Sequence, residues 1–321
     1  MHGPIYREAM VKAWHLVWHN KILWIFGLLS VMVGQFGLGD FVGKFLYWND
    51  RLAHPFYVFP FVRHLAGVLP FGIGTTMGVV WAGLITLLLM GFMAFVSVSA
   101  QGVLVAGVAD WYKTKKTDKL SLAWHKGVEH FWRLLGVNII EKMAFGALLF
   151  VLAASITYLR LGGMISLGLM GLVFAVVFFL AFAVAAISIY AIGYIVVENR
   201  DMFDAYHQGA KLFVEHLLVS IELSILLFFV GWIVLAGVFL WSFIAFLPSV
   251  FMWLIGASFG SVALMWLGLI IGMVFLAAVF VIAGGLFNAF TVSAWIYCFM
   301  KMKHTGIASR LAYRIERLFH L

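Results

Sequence analysis

The sequence predicts an all-α polytopic membrane protein with six transmembrane helices in three parallel repeats. Hydrophobic residues make up 65% of the 321 positions and charged residues only 11%, whereas a soluble domain is about half apolar and about a quarter charged. The mean hydropathy of +1.08 reflects the same excess. A soluble chain of this length would lack the polar residues to cover its surface. A soluble enzyme, a disordered protein and a disulfide-stabilised secreted domain are therefore excluded.

Six stretches are long and apolar enough to cross a bilayer within a single membrane domain, residues 1–321. Crossing about 30 Å of hydrocarbon takes roughly 20 helical residues. The second, fourth and sixth stretches are the longest, with 32, 34 and 39 residues, clearly more than a straight crossing requires, so we expect them to tilt, bend or project beyond the bilayer. The predicted spans are Ile22–Leu38, Met77–Val108, Leu134–Leu159, Met164–Val197, Leu217–Phe246 and Val262–Met300.

The distribution of basic residues predicts that both termini are cytoplasmic. Sixteen Lys and Arg residues fall on segments that share a side of the membrane with the N-terminus, and four fall on the opposite side. Basic residues gather on cytoplasmic loops, so topology accounts for most of the formal charge of +8 and no nucleic-acid partner is expected. No cleavable signal peptide is recognisable, and the single cysteine, Cys298, excludes an internal disulfide.

A short signature recurs three times, each time in an amphipathic stretch that leads into an odd-numbered span. Its members are Trp14 and His15, Trp124 and His125, and Tyr206 and His207, each pair preceded by alanine. We interpret each unit as an interfacial amphipathic helix followed by a helical hairpin, with the aromatic rings at headgroup level. The predicted units are residues 1–111, 112–200 and 201–303. All three start on the same side of the membrane, unlike the inverted repeats of many transporters.

Two segments depart from the repeat. Residues 39–76 contain three prolines among aromatic residues, which argues against one continuous helix, so we expect short helices on the outer interface. Residues 304–321 place Arg310, Arg314 and Arg317 opposite an apolar face. This pattern predicts a basic amphipathic helix that lies on the anionic lipids of the cytoplasmic leaflet.

Four polar residues of spans 3 and 5 form a candidate cavity. Asn138, Glu141 and Lys142 share one face of span 3, and Glu222 lies at a similar depth on span 5. Ionisable groups within a membrane helix are functional-site hypotheses by default, which favours a polar cavity that opens to the cytoplasm. The alternative is structural, because both positions lie two turns from the cytoplasmic boundary, where Lys142 can reach the headgroups and the carboxylates can pair or meet water.

Other polar and small residues of the spans are assigned to helix packing. The spacing Gly268-x-x-x-Gly272 is typical of closely packed membrane helices. Polar residues in the cytoplasmic halves of spans 2, 4 and 6 are expected to join neighbouring helices. They are Ser97, Ser99, Gln101, Ser188, Tyr190, Asn288, Thr291 and Ser293.

The sequence predicts neither a metal site nor a cofactor. His15 and His19 have the i, i+4 spacing of a metal pair, but no nearby carboxylate completes the set. Three residues separate His125 from Glu129, where the inverted zinc-peptidase motif requires two. No nucleophile–base pair or phosphate-binding loop is recognisable, so enzyme activity has no positive support.

Parts of the chain resemble a group of uncharacterised prokaryotic six-span proteins. The residues concerned are Tyr6, Ala13-Trp14, Leu23 to Gly27, the junctions that begin at Asp118 and Asp201, Phe287-Asn288 and Ala294 to Tyr297. They are similar to the YciC-like family and to the membrane domain fused to some glycerophosphodiester phosphodiesterases. The catalytic barrel of those enzymes is absent here. The resemblance implies a multi-pass membrane module of a prokaryotic inner membrane.

These observations favour a non-enzymatic membrane module that organises lipid or a membrane-protein partner through its basic cytoplasmic face. A second copy of the chain, in a homo-oligomer, is another expected partner. The alternative function is transport of a small solute or lipid through the cavity between spans 3 and 5. An intramembrane hydrolase is a weaker option, because it would need two titratable groups within hydrogen-bond reach inside a pocket.

Overall fold

A computed structural model describes residues 5–31, 73–114, 120–159 and 164–305. Within these ranges the chain is 96% helical and contains no strand. Helices satisfy every backbone hydrogen bond within one segment, as an apolar medium requires. The described helices are α1 (Ile5–His19), α2 (Ile22–Val31), α3 (Ile73–Thr114), α4 (Leu120–Glu129), α5 (Phe131–Leu159), α6 (Met164–Glu198), α7 (Met202–Glu215), α8 (Leu217–Ser258) and α9 (Val262–Thr305).

Five of these helices, α3, α5, α6, α8 and α9, are long and apolar enough to cross a membrane. Helix α2 is apolar but has only 10 residues, so it covers just the first part of the predicted span Ile22–Leu38. The rest of that span lies outside the described residues, as do residues 39–72 of the predicted insertion and residues 306–321 of the predicted tail. Residues 73–76 of the insertion form the first turn of α3.

The predicted end of the fifth span is wrong. The predicted span ends at Phe246, but α8 continues through Pro248 to Ser258. Proline removes one helical hydrogen bond, yet ending the helix within an apolar medium would leave more backbone groups unsatisfied. The turn into α9 instead lies at Gly260, whose φ of 63° suits glycine.

The main hydrophobic core lies at one end of the bundle. There α3, α6 and α9 contact one another, and each receives one short helix: α4 packs on α3, α7 on α6, and α1 on α9. Helix α2 lies between α3 and α9. Among the described helices, the first two therefore pack on the last.

Away from this core, each of the hairpins α5–α6 and α8–α9 is held together mainly by contacts between its own two helices. A separate cluster of buried residues joins the far halves of α5 and α6, around Phe145, Leu149 and Val177. In the far half of the other hairpin, a Cβ on Gly268 would lie 3.0 Å from the carbonyl oxygen of Ser249. The predicted close approach at Gly268 and Gly272 is thus confirmed, and it joins α9 to α8.

Candidate functional site

Charged residues gather at the end of the bundle where α1, α4 and α7 pack, which we call the charged end. Every described Lys and Arg except Lys142 belongs to it. Several lie at the C-terminal ends of α3 and α9, where a cation complements the helix dipole. The basic residues of the charged end are Arg7, Lys12, Lys21, Lys113, Lys126, Arg133, Arg200, Lys211, Lys301 and Lys303.

Helix α4 is joined to α3 by an ion pair and by a close backbone contact. The Nζ atom of Lys126 lies 2.7 Å from Oδ2 of Asp110, near the end of α3. Gly127 lies so close to α3 that an added Cβ would be 2.5 Å from the carbonyl oxygen of Ser99. A residue with a side chain could not occupy this position without moving the helix.

Helix α7 packs on α6 in a similar way. Its buried face consists of Ala205, Gly209, Leu212 and Phe213. A Cβ on Gly209 would lie 3.1 Å from the backbone of Ile187 and Ala191 on α6. Gly127 and Gly209 each follow the signature alanine by four residues, so both helices dock through the same position.

Arginine side chains hold the turn between α6 and α7. Arg200 donates hydrogen bonds to Glu198, at 2.9 Å, and to Asp204, at 2.7 Å. The bond from Arg200 lowers the pKa of Asp204 below its ordinary value. Arg133, from α5, donates to the side-chain oxygen of Asn199 at 2.6 Å, and Asn199 has a positive φ of 54°. These bonds fix where α7 begins.

Helix α1 is tied to α9 through Glu8. Its carboxylate accepts hydrogen bonds from Lys301 and, at 3.0 Å, from the hydroxyl of Tyr297. The bond from Lys301 lowers the pKa of Glu8 despite partial burial. Near the other end of α1, the ring of Trp14 meets Phe290 edge-on, with centroids 6.0 Å apart.

The signature residues all lie on the three short helices. His15, His125 and His207 are exposed, while Trp124 and Tyr206 are half-buried and Trp14 is half-exposed. Large apolar residues beside them are also exposed at the charged end: Val11, Trp18, Trp132, Phe203 and Val214. Exposed aromatic and basic side chains on short helices are typical of surfaces that lie in a membrane interface.

The structure places Asn138 and Glu141 in the interior, with side chains only 4% and 3% exposed. Asn138 donates a hydrogen bond of 2.8 Å to Oε1 of Gln101 on α3. Sequence reasoning assigned Gln101 to helix packing and did not join it to Asn138. Periodicity shows that both residues face inward, but it does not show which helices are neighbours.

Tyr206 of α7 adds a second polar contact to the same part of α5. Its hydroxyl donates to the carbonyl oxygen of Val137 and lies 3.2 Å from the hydroxyl of Ser188 on α6. Burial raises the pKa of Tyr206, and the nearby charge of Glu141 raises it further. Asn138 and Glu141 thus lie where α3, α5, α6 and α7 meet.

Lys142 and Glu222, the other two residues of the predicted cavity, are both partly exposed. Helices α5 and α8, on which they lie, are not among the main packed pairs of the described helices. The four predicted residues therefore divide into an interior pair and a partly exposed pair.

The two histidines of α1 stack on each other. The rings of His15 and His19 are 4.0 Å apart and nearly parallel. Within the described ranges, no group of three His, Cys, Asp or Glu side chains is arranged to hold a metal ion.

Comparison of the chain with protein-family models, curated proteins and solved structures gives no match. The class of the protein therefore follows from its own architecture: an all-helical protein whose long apolar helices could span a membrane and whose charges gather at one end.

Proposed function

We propose that this protein is a non-enzymatic integral membrane module that binds anionic lipid at its charged end, on the cytoplasmic side of a prokaryotic inner membrane. One observation supports the proposal above all others. The three short helices pack at the same end of the bundle as nearly all of the described basic residues, and two of them, α1 and α7, leave aromatic residues exposed there. Membrane-surface helices combine these two properties, because apolar side chains enter the interface while basic ones attract anionic headgroups.

The proposal includes the threefold repeat of residues 1–111, 112–200 and 201–303. Each unit contributes one short helix, which packs on the second long helix of the preceding unit: α4 on α3, α7 on α6 and, closing the ring, α1 on α9. The shared docking position of Gly127 and Gly209 supports the same relation. Such a ring would present three equivalent interfacial helices to one membrane surface.

Charge-neutralised variants test lipid binding. The full chain would be reconstituted in vesicles of phosphatidylcholine and phosphatidylglycerol and extracted into mild detergent, and the retained lipids would be quantified. The predicted tail helix directly follows α9, whose last turn belongs to the charged end, so the proposal includes the tail in the lipid-binding surface. Changing Arg310, Arg314 and Arg317 to Gln should therefore lower the retained ratio of phosphatidylglycerol to phosphatidylcholine. Each basic residue near an anionic surface contributes about 1 kcal/mol, or roughly a fivefold change in binding.

The matched control neutralises three basic residues on the predicted opposite side of the membrane, Lys44, Arg51 and Arg63. The retained lipid ratio should stay at the wild-type value in this control. An unchanged ratio in the tail variant, or an equal fall in both triple variants, would contradict the proposal. If the tail variant instead loses a co-purifying protein while its lipid ratio is unchanged, the basic face serves a protein partner.

A transporter is the second candidate, favoured by the burial of Asn138 and Glu141 within a long apolar helix. It requires water to reach these residues. Cysteine placed at Glu141 should then react with a membrane-impermeant thiol reagent, whereas cysteine at the lipid-exposed Met143 should not. The native Cys298 is buried, which keeps the background of this measurement low. If cysteine at position 141 does not react, the transporter is contradicted and only the membrane-module proposal is retained.

A further inference from the structure

One buried oxygen atom of the interior pair, Oδ1 of Asn138, has no hydrogen-bond partner among the described residues. The amide nitrogen of Asn138 donates two hydrogen bonds of 2.8 Å, one to Oε1 of Gln101 and one to the carbonyl oxygen of Leu134, one turn earlier on α5. Its oxygen accepts none, although the side chain is almost fully buried. Buried polar atoms normally have a partner, so this oxygen marks a place where a ligand is expected.

The orientation of the Asn138 amide directs this oxygen toward Glu141. Because the amide nitrogen reaches back to Leu134, toward the start of α5, the other arm of the planar amide points toward the following turn. Glu141 lies on that turn, three residues later, where side chains of one helix face are neighbours. Its side chain is also almost fully buried. Two oxygen acceptors, one of them a carboxylate, therefore lie next to each other in the interior.

Two hydroxyl groups lie on the helices that pack against this part of α5. The hydroxyl of Tyr206, on α7, is 3.2 Å from the carbonyl oxygen of Val137 and 3.2 Å from the hydroxyl of Ser188, on α6. Burial and, to a smaller extent, the charge of Glu141 raise the pKa of Tyr206, which places this hydroxyl within the field of the carboxylate. Each hydroxyl oxygen has two lone pairs, so both can act as further ligands.

A small monovalent cation is the ligand that matches this set of oxygens. Neighbouring acceptors repel each other unless a positive charge or a hydrogen-bond donor lies between them. Carboxylate, amide and hydroxyl oxygens are the ligands that hard cations prefer. The charge of the set favours a monovalent ion, because one carboxylate neutralises one positive charge and the second charge of a divalent ion would stay uncompensated in an apolar interior.

We propose that Asn138, Glu141, Ser188 and Tyr206 form a binding site for one sodium ion at the junction of α5, α6 and α7. Oδ1 of Asn138 and the carboxylate of Glu141 are its principal ligands, and the two hydroxyls are the further ones. The inference goes beyond both candidate functions, since an ion held in the interior requires neither lipid nor a path across the membrane. Because Tyr206 belongs to α7, sodium would also link the docking of this helix to the interior of the bundle.

Binding of radioactive sodium to the purified full chain in detergent tests the site. Scintillation proximity would measure it at fixed pH, with choline chloride keeping the ionic strength constant. The wild type should bind one sodium ion per chain in a saturable way. Glu141→Gln should lower the affinity at least about tenfold, because it removes the charged ligand. Glu222→Gln is the matched control, since it removes a carboxylate of α8 outside the site, and it should bind sodium like the wild type.

Two variants that each remove one hydroxyl test the site without changing its charge. Tyr206→Phe and Ser188→Ala should each weaken sodium binding about two- to tenfold. Sodium at about ten times its Kd should also raise the unfolding midpoint of the wild type by about 2–4 °C, and it should not raise that of Glu141→Gln.

Three results would each overturn the inference: no saturable sodium binding by the wild type, unchanged binding in Glu141→Gln, or an equal loss in Glu222→Gln. A wild-type midpoint that does not depend on sodium would overturn it as well, and water alone would then be the partner of the Asn138 oxygen. If Glu141→Gln does not fold, the hydroxyl variants decide, because unchanged affinity in both would contradict the site.

Discussion

Replacing Gly127 by alanine is expected to loosen α4 from α3. Alanine normally stabilises a helix relative to glycine by about 0.5–1 kcal/mol. At Gly127, however, the new methyl group would lie 2.5 Å from the carbonyl oxygen of Ser99 and 2.5 Å from a methyl group of Val103. The valine side chain can rotate, but the backbone oxygen can be avoided only if the two helices separate.

The expected net effect is a destabilisation of the α3–α4 contact by about 1–2 kcal/mol, since overpacking of this kind costs about 1–3 kcal/mol. Such a loss corresponds to roughly 5- to 30-fold faster opening of α4. Amide hydrogen exchange of residues 120–129 in the detergent-solubilised protein would measure it, because exchange reports local opening as well as global unfolding.

Gly146→Ala provides the control for this measurement. Gly146 lies within α5, and a Cβ there would meet no heavy atom within 4 Å, so this variant should exchange like the wild type or more slowly. If Gly127→Ala leaves the exchange of α4 unchanged, or if both variants accelerate it equally, α4 does not dock on α3 as described.

Three further predictions concern the ends of the chain and its interior. The pKa of Glu8 is lowered by its hydrogen bond from Lys301. The α1–α9 contact should therefore be fully stabilised above the ordinary glutamate pKa and weaken as the pH falls through the lowered pKa. Hydrogen exchange of α1 should show this acid dependence in the wild type and lose it in Glu8→Gln. Asn138→Leu should lower the free energy of unfolding by about 1–3 kcal/mol, because it removes the hydrogen-bond donor of the buried Oε1 atom of Gln101. The double variant with Gln101→Leu should recover part of this loss, as measured by thermal unfolding. A fluorescent protein that matures only in the cytoplasm, fused after Leu321, should fluoresce, since that end is predicted to be cytoplasmic. If this fusion is dark while a fusion to a reporter enzyme that is active only in the periplasm is active, the predicted orientation is reversed.

The long helices could be predicted from the sequence because an uninterrupted apolar run of 20 or more residues admits few structures other than a membrane-spanning helix. The predicted starts of the fourth, fifth and sixth spans, Met164, Leu217 and Val262, coincide with the first residues of α6, α8 and α9. The end of the fifth span was missed because the apolar helix continues past Pro248 to Ser258, and no sequence signal marks the turn before that point.

Partnerships between helices could not be predicted in the same way. The spacing of Asn138 and Glu141 shows that they share a face, but Gln101 precedes Asn138 by 37 residues and no local pattern links them. The signature around His125 and His207 located two short helices correctly. It did not reveal that each docks on the long helix before it, because that contact depends on tertiary packing.

Binding of anionic lipid at the charged end can be measured by a lipid titration observed by native mass spectrometry. The full chain in detergent would be titrated with phosphatidylglycerol and, separately, with phosphatidylcholine. Phosphatidylglycerol should bind more tightly than phosphatidylcholine, and this preference should shrink as the ionic strength rises, because salt screens exposed charges. Equal binding of the two lipids at every ionic strength would contradict the proposed lipid binding.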